Sequence, residues 1–232
     1  MIHTHGRGAG NFEIHIAGTR TDPIKAGLIF NGLQRVGMKK NKFFLSVYNV
    51  DKESSGCNNF ALNTPPTGHD IAKPGFMSTA QVKSYDDARR LIIDGMEILD
   101  KYGIKGNFEI EHIICSKVPD TEVVDIKDFP GFREVEDSPK YENHLGWKGS
   151  LLTLPHYVDI IKAFNQRVGV APHQFADFFE TKEGSVSRIA TIYQPSREAA
   201  LELASRLQNK SSMLGHRYVL TEQVCLVGEQ II

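Results

Sequence analysis

The sequence has almost no net charge, little cysteine and no apolar run long enough for a bilayer. Twenty-seven Lys and Arg stand against 28 Asp and Glu, a formal charge of -1. A chain so balanced carries no electrostatic footprint for nucleic acid or an acidic membrane surface. Its three cysteines, Cys57, Cys115 and Cys225, are odd in number, far apart and without a CxxC pair. That argues against a disulfide framework and a thiolate zinc site, and reads as a reducing, cytoplasmic setting. No stretch approaches the roughly 18 apolar residues of a membrane span. The opening residues, Met1 to Gly8, lack the apolar segment of a signal peptide, and residues 1–10 read as a flexible terminus.

What is present is an alternation of strand and helix patterns. Residues 11–17 alternate apolar and polar, as a half-buried strand does. Asp22-Pro23 then gives an N-cap and a proline at the first helical position, with Gly37 at the far end. A strand follows over 42–50. Residues 51–75 are polar and aperiodic and read as a long loop, of the kind that often folds over a binding site. A strand over 76–83 leads to Ser84 and Asp87, a capping box, and a helix striped by Ala88, Leu91, Ile92, Met96 and Leu99. The strand over 107–115 closes this set.

After an acidic, proline-containing linker over 117–140 the order repeats. A strand over 141–147 leads to a helix opened by Thr153-Leu154-Pro155 and ended at Gly169. A hairpin of 173–180 and 186–193 turns at Glu183-Gly184. Pro195-Ser196 opens the last helix, and 218–227 is the last strand. The helix endings repeat in letters as well as in order: Phe30-Asn31 with Gln34-Arg35-Val36-Gly37, then Phe164-Asn165-Gln166-Arg167-Val168-Gly169. The expectation is an α+β fold, a tandem duplication of a ferredoxin-like βαββαβ unit. Its lobes span 11–116 and 141–232, each an antiparallel four-stranded sheet with helices on one face. Whether the two sheets face one cavity or run on as one sheet is left open.

The register of the repeat singles out a pattern. Both first strands carry Glu-x-His, Glu13/His15 and Glu142/His144, and alternation puts each pair on the face away from the helices. The fourth strands add Glu109 and Glu111 in the first half, and Glu222 aligns with Glu111. Clusters Glu13/His15/Glu111 and Glu142/His144/Glu222 are therefore expected. Imidazole with carboxylate suits a divalent ion: Zn, Fe, Mn, Ni or Co. In that reading His15, Glu111, His144 and Glu222 are ligands, Glu13 or Glu142 is a base, and the chain is a metal-dependent enzyme acting on a small molecule between the lobes. Without a metal the same groups could serve as acid and base. The structural reading is a solvated sheet face with cross-strand Glu/His pairs.

This placement of ligands is similar to that of the vicinal-oxygen-chelate enzymes, whose paired modules set His and Glu on first and last strands around one metal. The likeness covers that arrangement alone, since their module is βαβββ and lacks the second helix seen here. A two-histidine phosphoesterase also pairs two lobes with one His each. Its His-x-Thr or His-x-Ser pattern is replaced here by His15-Ile16-Ala17 and His144-Leu145-Gly146, without the hydroxyl. The alternative to catalysis is a tandem ferredoxin-like ligand-binding or regulatory protein. Partners are expected to be a small-molecule ligand and a second copy through sheet faces or edges, with neither nucleic acid nor membrane.

Overall fold

The computed structural model describes residues 12–18, 21–50, 75–113, 129, 131–134, 141–208 and 218–230, the last of these as backbone only. The elements are β1 (Phe12–Gly18), α1 (Pro23–Val36), β2 (Lys40–Asn49), β3 (Phe76–Val82), α2 (Tyr85–Lys101), β4 (Gly106–Ile113), β5 (Phe132–Glu134), β6 (Tyr141–Gly149), α3 (Tyr157–Arg167), β7 (Gln174–Glu180), β8 (Ser185–Gln194), α4 (Arg197–Gln208) and β9 (Tyr218–Gln230). The order β-α-β-β-α-β thus occurs twice, with β5 between. Most of the 51–75 loop, His3, His5, Asn58, Asn59, His69, Cys57, Cys115 and the side chain of His112 lie outside the described residues. No helix among them is long and apolar enough to cross a membrane.

Local chemistry explains the helix limits. Asp22 accepts a hydrogen bond from the Lys25 amide at 2.9 Å, and Gly37 closes α1 with φ 119°. That backbone conformation is strained for a residue with a Cβ. Ser84 accepts from the Asp87 amide at 3.1 Å and opens α2. The helix after Pro155 starts later than the sequence reading, at Tyr157, because His156 is its cap and the Val158 amide donates to Nδ1. Residues Ser150 to Leu154 form a turn instead, held by Thr153 Oγ1 on the Ser150 amide.

The strands do not form two sheets. They make one antiparallel sheet ordered β4-β1-β3-β2-β7-β8-β6-β9, and β4 pairs again with β9, so eight strands close on themselves; β5 extends the edge of β9. Each half keeps the same internal order, and the halves meet at β2–β7 and β4–β9. The question left open by the sequence is answered by these two seams: the two four-stranded sheets run on as one. The seams also take up within one chain the lobe edges that a second copy could have paired with.

The core lies outside this ring, between strands and helices. In the first half Phe12, Ile14 and Ile16 of β1 and Phe108 and Ile110 of β4 pack against Ile29 and Leu33 of α1 and Ile92, Met96 and Leu99 of α2. In the second half Leu145, Trp147, Phe175, Ala190 and Ile192 pack against Ile160, Ile161 and Phe164 of α3 and Leu203 and Leu207 of α4. Each such side chain contributes about 1.5–3 kcal/mol by burial. Gly95 lets α2 approach β1, for a Cβ there would overlap Ile16 Cδ1. Since one strand face is used by the helices, alternation turns the other face of every strand into the barrel interior.

Candidate functional site

An eight-stranded barrel has an interior just wide enough to be filled by side chains or to hold one small ligand. Here that interior is filled with charge. Opposite Phe12, Ile14 and Ile16 on β1 stand Glu13 and His15; on β4 Glu109 and Glu111 alternate with Phe108 and Ile110. The β1–β4 register sets Glu13 against Glu111 and His15 against Glu109. On β6, Glu142 and His144 alternate with the core residues Leu145 and Trp147. The β6–β9 register sets Glu142 against Glu222 and His144 against Leu220. Glu222 therefore holds the position that matches Glu111, while its side chain lies outside what is described.

The contacts among these groups are direct. His15 Nε2 lies 3.3 Å from Glu111 Oε2, and its Nδ1 lies 3.0 Å from Thr79 Oγ1 on β3. His144 Nε2 lies 2.8 Å from Glu142 Oε1. Glu13 accepts a hydrogen bond from Gln81 Nε2 at 2.9 Å. The registers also put a threonine opposite each histidine, Thr79 for His15 and Thr191 for His144. Two groups of donor atoms lie within 4.8 Å of one another: His15, Glu109 and Glu111, and Glu111, Glu142 and His144. For metal–ligand bonds of about 2.1 Å, donors on opposite sides of an ion lie about 4.2 Å apart, so either group could close on a cation with small side-chain shifts.

Electrostatics ties the two halves together in the same way. The Glu109 carboxyl is pushed up to about 8, first by burial and then by the charge of Glu142, with Glu13 adding to it and His144 opposing. Glu109 nonetheless keeps some accessible surface. It alternates with the core residues Phe108 and Ile110, which puts it on the inward side of β4. Tyr193 on β8 is pushed up to about 12 by burial and by Glu142. Glu111 is 2% exposed and Glu142 6%; holding such groups in a dry interior is costly unless each has a counter-charge or a proton.

Further along the barrel is a group that sequence reasoning missed. Lys42 on β2 is 6% exposed and stands over the Phe178 ring, 5.1 Å from its centroid. Burial pulls its ammonium below the ordinary lysine range, with the charges of Glu13, Glu180 and Glu111 opposing. Glu180 itself is engaged, by Lys148 at 2.8 Å and Ser187 at 2.6 Å. Alternation could have revealed Lys42, which shares the inward side of its strand with Phe44 rather than with the core residue Phe43. Glu109 carried a signal too, two residues from Glu111 on one strand face. A second missed cluster lies under the helices of the second half. There Arg188 makes a two-pronged pair with Asp177 at 2.8 Å for both contacts, and Tyr157 donates to Asp177 at 2.6 Å. The guanidinium also stacks on the Tyr157 ring at 3.8 Å. This cluster faces the core rather than the barrel interior.

No family model and no curated relative matches the sequence. Among solved structures, the chain is similar to the regulatory subunit of aspartate kinase from Thermus flavus, 14% identical over 86% of this chain and 92% of that one, with a TM-score of 0.32. The Thermus thermophilus subunit is also 14% identical, over 85% and 90%, at 0.29. The encapsulated DyP-type peroxidase from Mycobacterium smegmatis is 9% identical over 96% and 93%, at 0.29. Scores this low leave ligand and activity to be read from the chain's own side chains.

Proposed function

We propose that the chain is a small-molecule-binding protein whose site is the barrel interior, with a divalent cation held there by His15, Glu109, Glu111, Glu142 and His144. The observation that carries this reading is the position of Glu111. It is nearly inaccessible, and it lies within ligand distance both of His15 and Glu109 and of Glu142 and His144. A cation at that point offsets the burial and the crowding of carboxylates that together favour a proton on Glu109. The mixed imidazole and carboxylate set suits Zn, Fe, Mn, Ni or Co. An ion so held would offer a small ligand an attachment point.

Catalysis is the lesser reading. A metal-dependent enzyme here would use Glu13 or Glu142 as base, yet Glu13 is engaged by Gln81 and Glu142 by His144. Glu222 would be a further ligand from β9, by its register against Glu142. The two halves read as copies of one unit, a reading supported by their common strand order and by Glu-x-His on both first strands. The test is calorimetric titration of chelator-stripped protein with Mn(II), Zn(II) or Co(II). Binding is expected, and Glu111→Gln should weaken it by at least about tenfold, the loss that even outer partners of a metal site produce. If the wild-type chain takes up none of these ions, the metal reading is wrong.

A further inference from the structure

The donors form two groups, and the groups overlap at one residue. His15, Glu109 and Glu111 make the first; Glu111, Glu142 and His144 make the second. Apart from Glu111, each group holds one imidazole and one carboxylate. The first group's pair comes from β1 and β4, the second's from β6 alone. A single ion has no need of donors divided this way. A carboxylate, by contrast, has two oxygens with lone pairs directed apart, and it can bind an ion through each. Side-by-side ions held by shared ligands are an established arrangement at about 3.5–4 Å spacing.

Charge leads to the same count. Glu109, Glu111 and Glu142 stand in the cluster, and Glu13, buried and opposite Glu111, brings the carboxylates among the described side chains there to four. One divalent ion leaves half of that negative charge uncompensated in a low-dielectric interior, where lone charges are expensive. Two divalent ions balance it, with both imidazoles neutral as ligands must be. Lys42, in the same interior, feels the charges of Glu13, Glu180 and Glu111.

Resting on the metal reading above, we propose that the barrel binds two divalent cations bridged by the Glu111 carboxylate, one held by His15 and Glu109, the other by Glu142 and His144. The centre is thus shared between the halves and complete in neither.

The test is to load the full chelator-stripped chain with Mn(II), count bound ions after desalting, and record the electron paramagnetic resonance spectrum. Two ions per chain with a spin-coupled signal are expected. His15→Gln and His144→Gln should each leave one ion and the spectrum of an isolated Mn(II), while Glu111→Gln should abolish the coupling. One uncoupled ion per wild-type chain overturns the two-ion centre and leaves the metal reading standing. Two ions without coupling also overturn the bridge. No bound ion overturns both readings. The wild-type count and spectrum decide the matter even if a variant fails to fold.

Discussion

The two halves of the barrel are built alike and charged differently. Both set a Glu and a His two apart on the first strand, and both registers put a glutamate opposite that Glu: Glu111 facing Glu13, Glu222 facing Glu142. They part at the next rung, where His15 faces Glu109 but His144 faces Leu220. Beneath the helices the contrast is reversed. The first half buries a neutral pair, Ser78 donating to Asn41 at 2.6 Å, whereas the second buries the ionic cluster of Asp177, Arg188 and Tyr157. The first half therefore spends its charge inside the barrel, and the second keeps its strongest ion pair in the core. One glutamate of the first half, Glu111, lies within 4.8 Å of donor atoms of both histidines.

The largest effect should come from breaking the second half's core pair. Arg188→Met leaves Asp177 buried without its partner, and urea unfolding should show a loss of about 3–5 kcal/mol. The double change Asp177→Leu with Arg188→Met should recover most of it, because no charge is stranded. In the first half, Ser78→Ala should cost about 1 kcal/mol. Equal losses from Arg188→Met and Ser78→Ala would erase the contrast.

The interior contrast can be read from pH. In chelator, folded protein keeps the Glu109 proton up to about 8, whereas an unfolded chain releases it near 4.5. Between those values the folded state binds more protons, so its stability should fall as pH rises. The groups around Glu109 here are Glu142, His144 and Glu13, with His15 opposite it on β1 and Glu111 beside it. Thermal melts from pH 5 to 8 should slope downward, and Glu109→Gln should flatten them. An unchanged slope in that variant would assign the effect elsewhere.

Smaller effects test the packing shared by both halves. Gly95→Val forces α2 away from Ile16 and should cost about 1–3 kcal/mol. Ser84→Ala and Ser196→Ala remove matching caps from α2 and α4, where the serines accept from Asp87 and Ala199 amides. Each should cost about 1 kcal/mol, measured by the same unfolding assay. A cap that matters in one half only would show that the helices are not equivalent.

Much of this architecture was legible because it is local. Asp22-Pro23, Ser84 with Asp87, and Gly37 and Gly169 declare helix ends through bonds a few residues long, and Glu-x-His declares its face through alternation. Closure of the ring is not local. Nothing near Phe44 names Phe178 as its neighbour, and nothing near Glu111 names His144, since those meetings depend on the β2–β7 and β4–β9 seams. Asp177 and Arg188 hid for a related reason: each looks like a surface charge until the hairpin sets them opposite one another under Tyr157. Lys42 was passed over because hydrophobic neighbours masked which side of the strand it takes.

β9 gives the ring its order of assembly. It pairs with β6 along Tyr218–Gln223 and with β4 along Glu222–Glu229. Until it is in place the glutamates of β4 and the Glu-x-His of β6 lie on opposite edges of one open sheet, joined only through β2–β7, and each unpaired edge invites mispairing. The β4–β9 contacts also join residues about half the chain apart, the kind of pairing that makes folding slow. An ion that needs both edges at once would reward the closed ring and not the open one, acting as a clasp on the final step of folding.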